Sequence, residues 1–295
     1  MFHGSMVALV TPMRADGAVD YAALANLVEF HVAAGTNAIV AVGTTGESAT
    51  LNFEEHCEVV RKVVELAQGR LPVIAGAGAN ATAEAVALSR CAQEAGAQGT
   101  LQVTPYYNKP TQEGLYRHYQ TIAEAVPMPH ILYNVPGRTA VDLQPDTVRR
   151  LAEIPNIVGI KEASGRLGRV QELLVAGRGR MDVYGGDDDI GMEVMLLGGR
   201  GVISVTANVA PAAMARMAAA ALAGDRVAAG AENRPLEELH RTLFLESNPI
   251  PVKWAVAAMG FMESGIRLPL TRLSKTHHAA VREALQTAGC RLAEA

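Results

Sequence analysis

Eight short aliphatic runs, each followed by a segment of helical pattern, succeed one another between Met6 and Ala223. The runs are Met6–Val10, Ala38–Val42, Val73–Ala75, Thr100–Val103, Ile131–Tyr133, Ile157–Ile160, Asp182–Tyr184 and Val202–Val205. Continuous apolar runs of this length, bounded by turn residues, read as strands buried on both faces of a parallel sheet. The helical segments span Tyr21–Ala34, Phe53–Gln68, Thr82–Ala95, Gln112–Ala125, Pro145–Glu153, Leu167–Ala176, Asp189–Leu197 and Pro211–Ala223. Asn52 with Glu55 forms a capping-box pattern, and Gly35, Gly69 and Gly96 stand where helices stop. Eight such units point to a closed (β/α)8 TIM barrel rather than an open doubly wound sheet. No Gly-x-Gly-x-x-Gly follows the first strand to support the open sheet. From about Asp225 the pattern turns purely helical, over Pro235–Glu246, Pro251–Phe261 and Lys275–Ala288. We therefore expect a catalytic barrel over 1–224 and a C-terminal helical segment, 225–295, packed on it.

Composition narrows the function classes. The net charge of −4 and the absence of a Lys/Arg run give no footprint for nucleic acid or a membrane surface. No apolar stretch approaches a membrane span, and the N-terminus lacks a signal-peptide pattern. Three scattered cysteines, Cys57, Cys91 and Cys290, suggest a reducing compartment, with neither a disulfide framework nor a zinc site.

Chemistry-bearing residues gather where strands end. Lys161 closes the sixth run and precedes Glu162-Ala163-Ser164-Gly165. A lysine there is costly to bury as an ammonium, and a neutral amine in a dry pocket is what Schiff-base chemistry uses. The other reading is a strand-end lysine reaching solvent. The second strand ends in Gly43-Thr44-Thr45-Gly46-Glu47-Ser48, either a small-residue turn or a cradle of N–H and hydroxyl donors for a carboxylate. The fourth ends in Tyr106-Tyr107-Asn108-Lys109-Pro110, where the tyrosines pack a loop or an interface, or serve a site. After the fifth come Tyr133 and Arg138, in Tyr133-Asn134-Val135-Pro136-Gly137-Arg138-Thr139. Tyr133 is a core aromatic or an acid/base, and Arg138 a solvated charge or a carboxylate clamp. Asp187-Asp188-Asp189 reads as the acidic start of a helix rather than a metal site. In a TIM barrel these loops meet on one face, where active sites lie.

The Gly43–Ser48, Tyr106–Pro110 and Tyr133–Thr139 motifs, with Gly159-Ile160-Lys161-Glu162-Ala163-Ser164, closely resemble the dihydrodipicolinate synthase family, and the resemblance runs over essentially the whole chain. It implies a cytoplasmic homotetramer, a dimer of dimers, that condenses pyruvate with L-aspartate 4-semialdehyde in lysine and diaminopimelate biosynthesis. It implies no cofactor, the reaction running through a covalent imine on Lys161, and no metal. Tyr133 would shuttle protons, linked to solvent through Thr44 and Tyr107, with Tyr107 reaching into a neighbouring subunit. Thr45 would hold the pyruvate carboxylate, Arg138 the semialdehyde carboxylate, and Ile203 would offer its backbone carbonyl near pyruvate. Feedback inhibition by L-lysine would use Ser48, Ala49, His56, Asn80, Glu84 and Tyr106. Asn80 also reads as a helix cap. Phe53 stands where lysine-sensitive relatives often carry histidine. Two alternatives remain: an N-acetylneuraminate lyase or keto-deoxy sugar acid aldolase, and a non-catalytic barrel that only binds.

Overall fold

In the computed structural model, which describes residues 1–293, the eight apolar runs form a closed parallel barrel in chain order. The strands are β1 (Gly4–Ala8), β2 (Ala38–Ala41), β3 (Val73–Gly76), β4 (Gly99–Val103), β5 (His130–Asn134), β6 (Ile157–Glu162), β7 (Asp182–Gly185) and β8 (Gly201–Ser204). Between and after them come α1 (Tyr21–Ala34), α2 (Phe53–Ala67), α3 (Thr82–Glu94), α4 (Gln112–Ala125), α5 (Pro136–Thr139), α6 (Pro145–Leu151), α7 (Leu167–Gly177), α8 (Asp188–Leu196) and α9 (Pro211–Leu222). The chain ends with α10 (Arg226–Asn233), α11 (Glu237–Thr242), α12 (Ile250–Ala258) and α13 (His278–Thr287). The barrel closes through β1 and β8, with Gly4 opposite Gly201. A Cβ on Gly201 would stand 2.3 Å from the Gly4 carbonyl oxygen, so only glycine lets the last strand reach the first.

Side chains of both periods meet inside. Met6, Val40, Ile74, Leu101, Ile131, Tyr133, Tyr184 and Ile203 fill the barrel interior as one apolar cluster. Two further clusters lie between strands and helices, one reaching from β1 to α13. The Asn52–Glu55 capping box is formed as expected.

Four expectations need correction. Cys57 on α2 and Cys91 on α3 are joined by a disulfide, their Cα atoms 6.0 Å apart. Separation along the chain hid that α2 and α3 are neighbours on the barrel wall. The final helical stretch begins earlier than Pro235, with α10, whose cap Asp225 accepts from the Ala228 N–H. Its Gly230 weakened the helical pattern there. Arg138 lies on a one-turn helix, α5, too short to show a period. Asn80 does not cap α3, because the cap position is Ala81, one residue later.

Five histidines are buried without charge. Burial pulls His31 down to about 3 and His118 down to about 4, and it lowers His56, His130 and His240 as well. Above the ordinary histidine range both folded and unfolded chains are neutral there, so these groups do not alter stability. Below about pH 6.5 the unfolded chain takes up protons that the folded chain refuses, so stability falls with pH until the folded value is reached. His31 and His118 should each cost about 1.4 kcal/mol per pH unit across that window. Urea melts at pH 7 and pH 5 should show a steep loss, and a flat profile would contradict neutral burial.

Candidate active site

Register places the central pair. β5 and β6 run side by side with Tyr133 opposite Lys161, so both side chains leave the sheet at the same level. The Lys161 Nζ lies 4.4 Å from the Tyr133 ring centroid. Lys161 is 5% exposed and Tyr133 7% exposed, which excludes the solvent-reaching reading of the lysine. Gly186 makes room beside them: a Cβ there would approach the Lys161 Cε to 3.1 Å and the Ala163 Cβ to 2.6 Å. The two side chains line a cavity of about 50 Å³ together with Thr44, Thr45, Arg138 and Asn248.

The loop after β2 is held in an unusual backbone shape. Val42 has φ 54° and Glu47 φ 58°, both in the left-handed region. A β-branched residue there costs on the order of 1–3 kcal/mol, which surrounding contacts must offset. At Glu47 those contacts come from the helical tail. The Lys253 ammonium on α12 pairs with the Glu47 carboxylate, both side chains almost fully buried. Burial pulls Lys253 below the ordinary lysine range, and the Glu47 charge works against that. The other Glu47 oxygen accepts the Arg267 backbone N–H at 3.2 Å.

Asn248, just before α12, was not legible as a site residue, yet it touches both expected carboxylate binders. Its Nδ2 donates to the Thr45 Oγ1 at 3.0 Å. Thr45 thus accepts from Asn248 and keeps its own hydroxyl proton free for an anion. The Asn248 carbonyl accepts from the Arg138 Nη2 at 3.2 Å. Arg138 is exposed at the pocket mouth, so one nitrogen is tethered and the rest of the guanidinium stays available.

Two expected residues stand apart from this cavity. Tyr107 is 89% exposed, with φ 74°, and does not line its own chain's cavity. Ile203 is fully buried in the barrel interior and does not line the cavity wall. A second cavity, about 350 Å³, is lined by Ser48, Ala49, Phe53, His56, Glu84 and Tyr106. Asn80 is not on its wall. Its Nδ2 donates to the Tyr106 carbonyl at 3.2 Å, and its own carbonyl accepts from the Asn108 side chain at 2.8 Å, so it shapes the Tyr106 loop from behind. His56 shares an Nε2 hydrogen bond with the Gly76 carbonyl at 2.7 Å, and burial keeps the ring neutral despite that acceptor. Thr44, Arg138 and Asn248 line both cavities. A larger void of about 610 Å³, between α1, α9 and the end of α12, carries none of these residues and is mostly apolar. Among the described residues no cluster of three metal-binding side chains occurs, and no helix is long and apolar enough to cross a membrane.

Known proteins resemble this chain over nearly its full length. A family model described as the dihydrodipicolinate synthetase family matches residues 1–288. The 4-hydroxy-tetrahydrodipicolinate synthase of Thioalkalivibrio sulfidiphilus is 67% identical over 292 residues, covering 99% of each chain. A crystal structure of the chloride-inhibited dihydrodipicolinate synthase from Acinetobacter baumannii, complexed with pyruvate, superposes with a TM-score of 0.97 at 56% identity, covering 98% of this chain and all of that one. The enzyme from Cyanidioschyzon merolae with lysine bound superposes with a TM-score of 0.94 at 39% identity over 98% of each chain.

Proposed function

The chain belongs to the dihydrodipicolinate synthetase family, and from that premise we infer how its own residues condense pyruvate with L-aspartate 4-semialdehyde to 4-hydroxy-tetrahydrodipicolinate. The reaction serves lysine and diaminopimelate biosynthesis and needs no external cofactor, because the imine forms on the enzyme. The observation that carries the assignment of roles is the buried Lys161 amine over the Tyr133 ring, in one cavity with Thr45 and Arg138. Lys161 attacks the pyruvate ketone, water leaves, and the imine loses a methyl proton to give an enamine. Thr45 holds the pyruvate carboxylate with its free hydroxyl proton. Tyr133 passes protons, with Thr44 as the next hydroxyl, since each both donates and accepts. The enamine carbon adds to the aldehyde, and the substrate's own nitrogen then closes the ring and displaces Lys161. Ile203, whose side chain is inside the barrel, would enter this scheme only through its backbone carbonyl.

Tyr107 fits this scheme through a second copy. An aromatic side chain so exposed, on the loop between β4 and α4, suits insertion into a neighbour's site, and a homotetramer built as a dimer of dimers is the assembly we propose. We place the enzyme in the cytoplasm. The barrel, 1–224, carries the chemistry, and the segment 225–295 braces it through Asn248 and Lys253.

A condensation assay with pyruvate and aspartate semialdehyde, run beside sugar-acid aldehydes, tests the function directly. Turnover of the sugar-acid aldehydes alone would overturn it. Arg138→Ala should raise KM for the semialdehyde and lower kcat/KM roughly thirtyfold, the lower end for an unpaired charge because Arg138 is exposed. Imine formation with pyruvate should survive in that variant.

The 350 Å³ cavity is the proposed site for L-lysine as a feedback inhibitor. Glu84 would pair with an ammonium group, with His56, Ser48, Ala49 and Tyr106 around it and Asn80 supporting Tyr106. With Phe53 in place of a polar residue, inhibition should be partial and in the millimolar range, about −4 kcal/mol of binding. Titration of L-lysine into the assay checks this. Unchanged inhibition in Glu84→Ala, or none at tens of millimolar, removes the regulatory site.

A further inference from the structure

The semialdehyde brings a carboxylate and an ammonium on one carbon. Arg138 answers the first, but the scheme above leaves the second without a partner. The ammonium must also lose a proton before its nitrogen can attack. Among the residues lining the Lys161 cavity, one carboxyl group is present, that of Asp187. It sits after β7, beyond Gly186, whose missing side chain leaves space next to Lys161. Its position as the residue before α8 suggests an ordinary cap, but its side chain caps nothing. One oxygen, Oδ2, accepts the Gly165 N–H at 2.9 Å, which fixes the carboxyl's direction. Among the described residues nothing donates to Oδ1. The neighbouring Asp188 is not on the cavity wall, and its Oδ2 accepts the backbone N–H groups of Val205 and Thr206, both at 2.9 Å.

We propose that Asp187 is a catalytic residue, the base that receives the ammonium proton of bound aspartate semialdehyde and so releases its nitrogen for ring closure. This rests on the Lys161 imine reading. The step balances as follows. Asp187 takes one proton from the ammonium. The freed nitrogen pair forms a bond to the carbon of the imine, which the enamine addition has left protonated on the Lys161 nitrogen, and the C=N π pair moves onto that nitrogen. A second proton passes from the ring nitrogen to the Lys161 nitrogen. The ring nitrogen then forms its own C=N bond, the bond to Lys161 breaks, and Lys161 leaves as the free amine. The last N–H proton departs through the Tyr133 hydroxyl. Burial suits Asp187 to the task by pushing its carboxyl up to about 6, with the Gly165 N–H and the Lys161 charge pulling the other way and Asp188 and Asp189 adding to the rise. A base poised near working pH takes a proton more readily than an ordinary carboxylate.

Asp187→Asn keeps the shape and an oxygen for the Gly165 N–H, and removes the base. The variant should form the borohydride-trapped pyruvate adduct on Lys161 as the parent does, while kcat falls about a hundredfold or more. Borohydride quenching during turnover should now trap on Lys161 an adduct holding the carbon skeletons of both substrates, because ring closure stalls. Inhibition by succinic semialdehyde, the same chain without the amino group, should be unchanged, whereas KM for aspartate semialdehyde rises. Near-parental kcat overturns the proposal. So does loss of the pyruvate adduct in the variant, or an equal loss of affinity for both semialdehydes, since either marks Asp187 as a brace for the Gly165 loop. Failure of the parent enzyme itself to form the pyruvate adduct would instead remove the Lys161 reading underneath.

Discussion

Lys161→Ala should abolish the pyruvate adduct and lower kcat on the order of ten-thousandfold or more, the scale on which covalent nucleophiles are lost. No second lysine lines the cavity, so no other amine stands ready to replace it. The fold should persist. Lys161 forms no ion pair among the described residues, and burying an amine costs free energy, so its removal relieves a burden on the folded state. The melting temperature should therefore stay or rise. Mass spectrometry after borohydride reduction with pyruvate decides the point. A pyruvyl group on any other lysine of the parent enzyme would contradict the assignment.

Lys253→Met should be the most damaging change outside the chemistry. It leaves the Glu47 carboxylate buried without its cation, a situation that costs about 3–5 kcal/mol. For a chain of this size that corresponds to a fall in Tm on the order of 10 °C. Adding Glu47→Gln to the same variant should recover most of the loss, since the uncompensated charge disappears. Thermal melts of the single and double variants give the coupling directly. The left-handed Glu47 lies two residues from Thr45, so KM for pyruvate should also rise in the single variant. An unaltered Tm would show that the pair is not the fastening for that loop.

Much of this was written in local pattern. The aliphatic runs displayed the strands because a parallel barrel buries both faces of each, and Lys161, Tyr133, Thr44, Thr45 and Arg138 stood out as polar residues at apolar strand ends. What stayed hidden depends on distance through space. Asn248 reaches Thr45 across 203 positions of sequence, and nothing in Ser247-Asn248-Pro249 announces that contact. The Cys57–Cys91 bond needed the adjacency of α2 and α3. Asp187 was disguised by its company, because three acids before a helix fit a dipole argument equally well. Its place on the cavity wall separates it from Asp188.

Four side chains, Thr44, Val135, Arg138 and Asn248, form walls of both the Lys161 cavity and the larger one beside it. A partition with two faces gives the sites a route by which to couple, and any such coupling is reciprocal. If an occupant of the larger cavity changes the affinity for pyruvate by some factor, pyruvate must change the affinity for that occupant by the same factor. Equilibrium titrations of either compound at fixed levels of the other would then give one shared coupling constant, readable from whichever side is easier to measure.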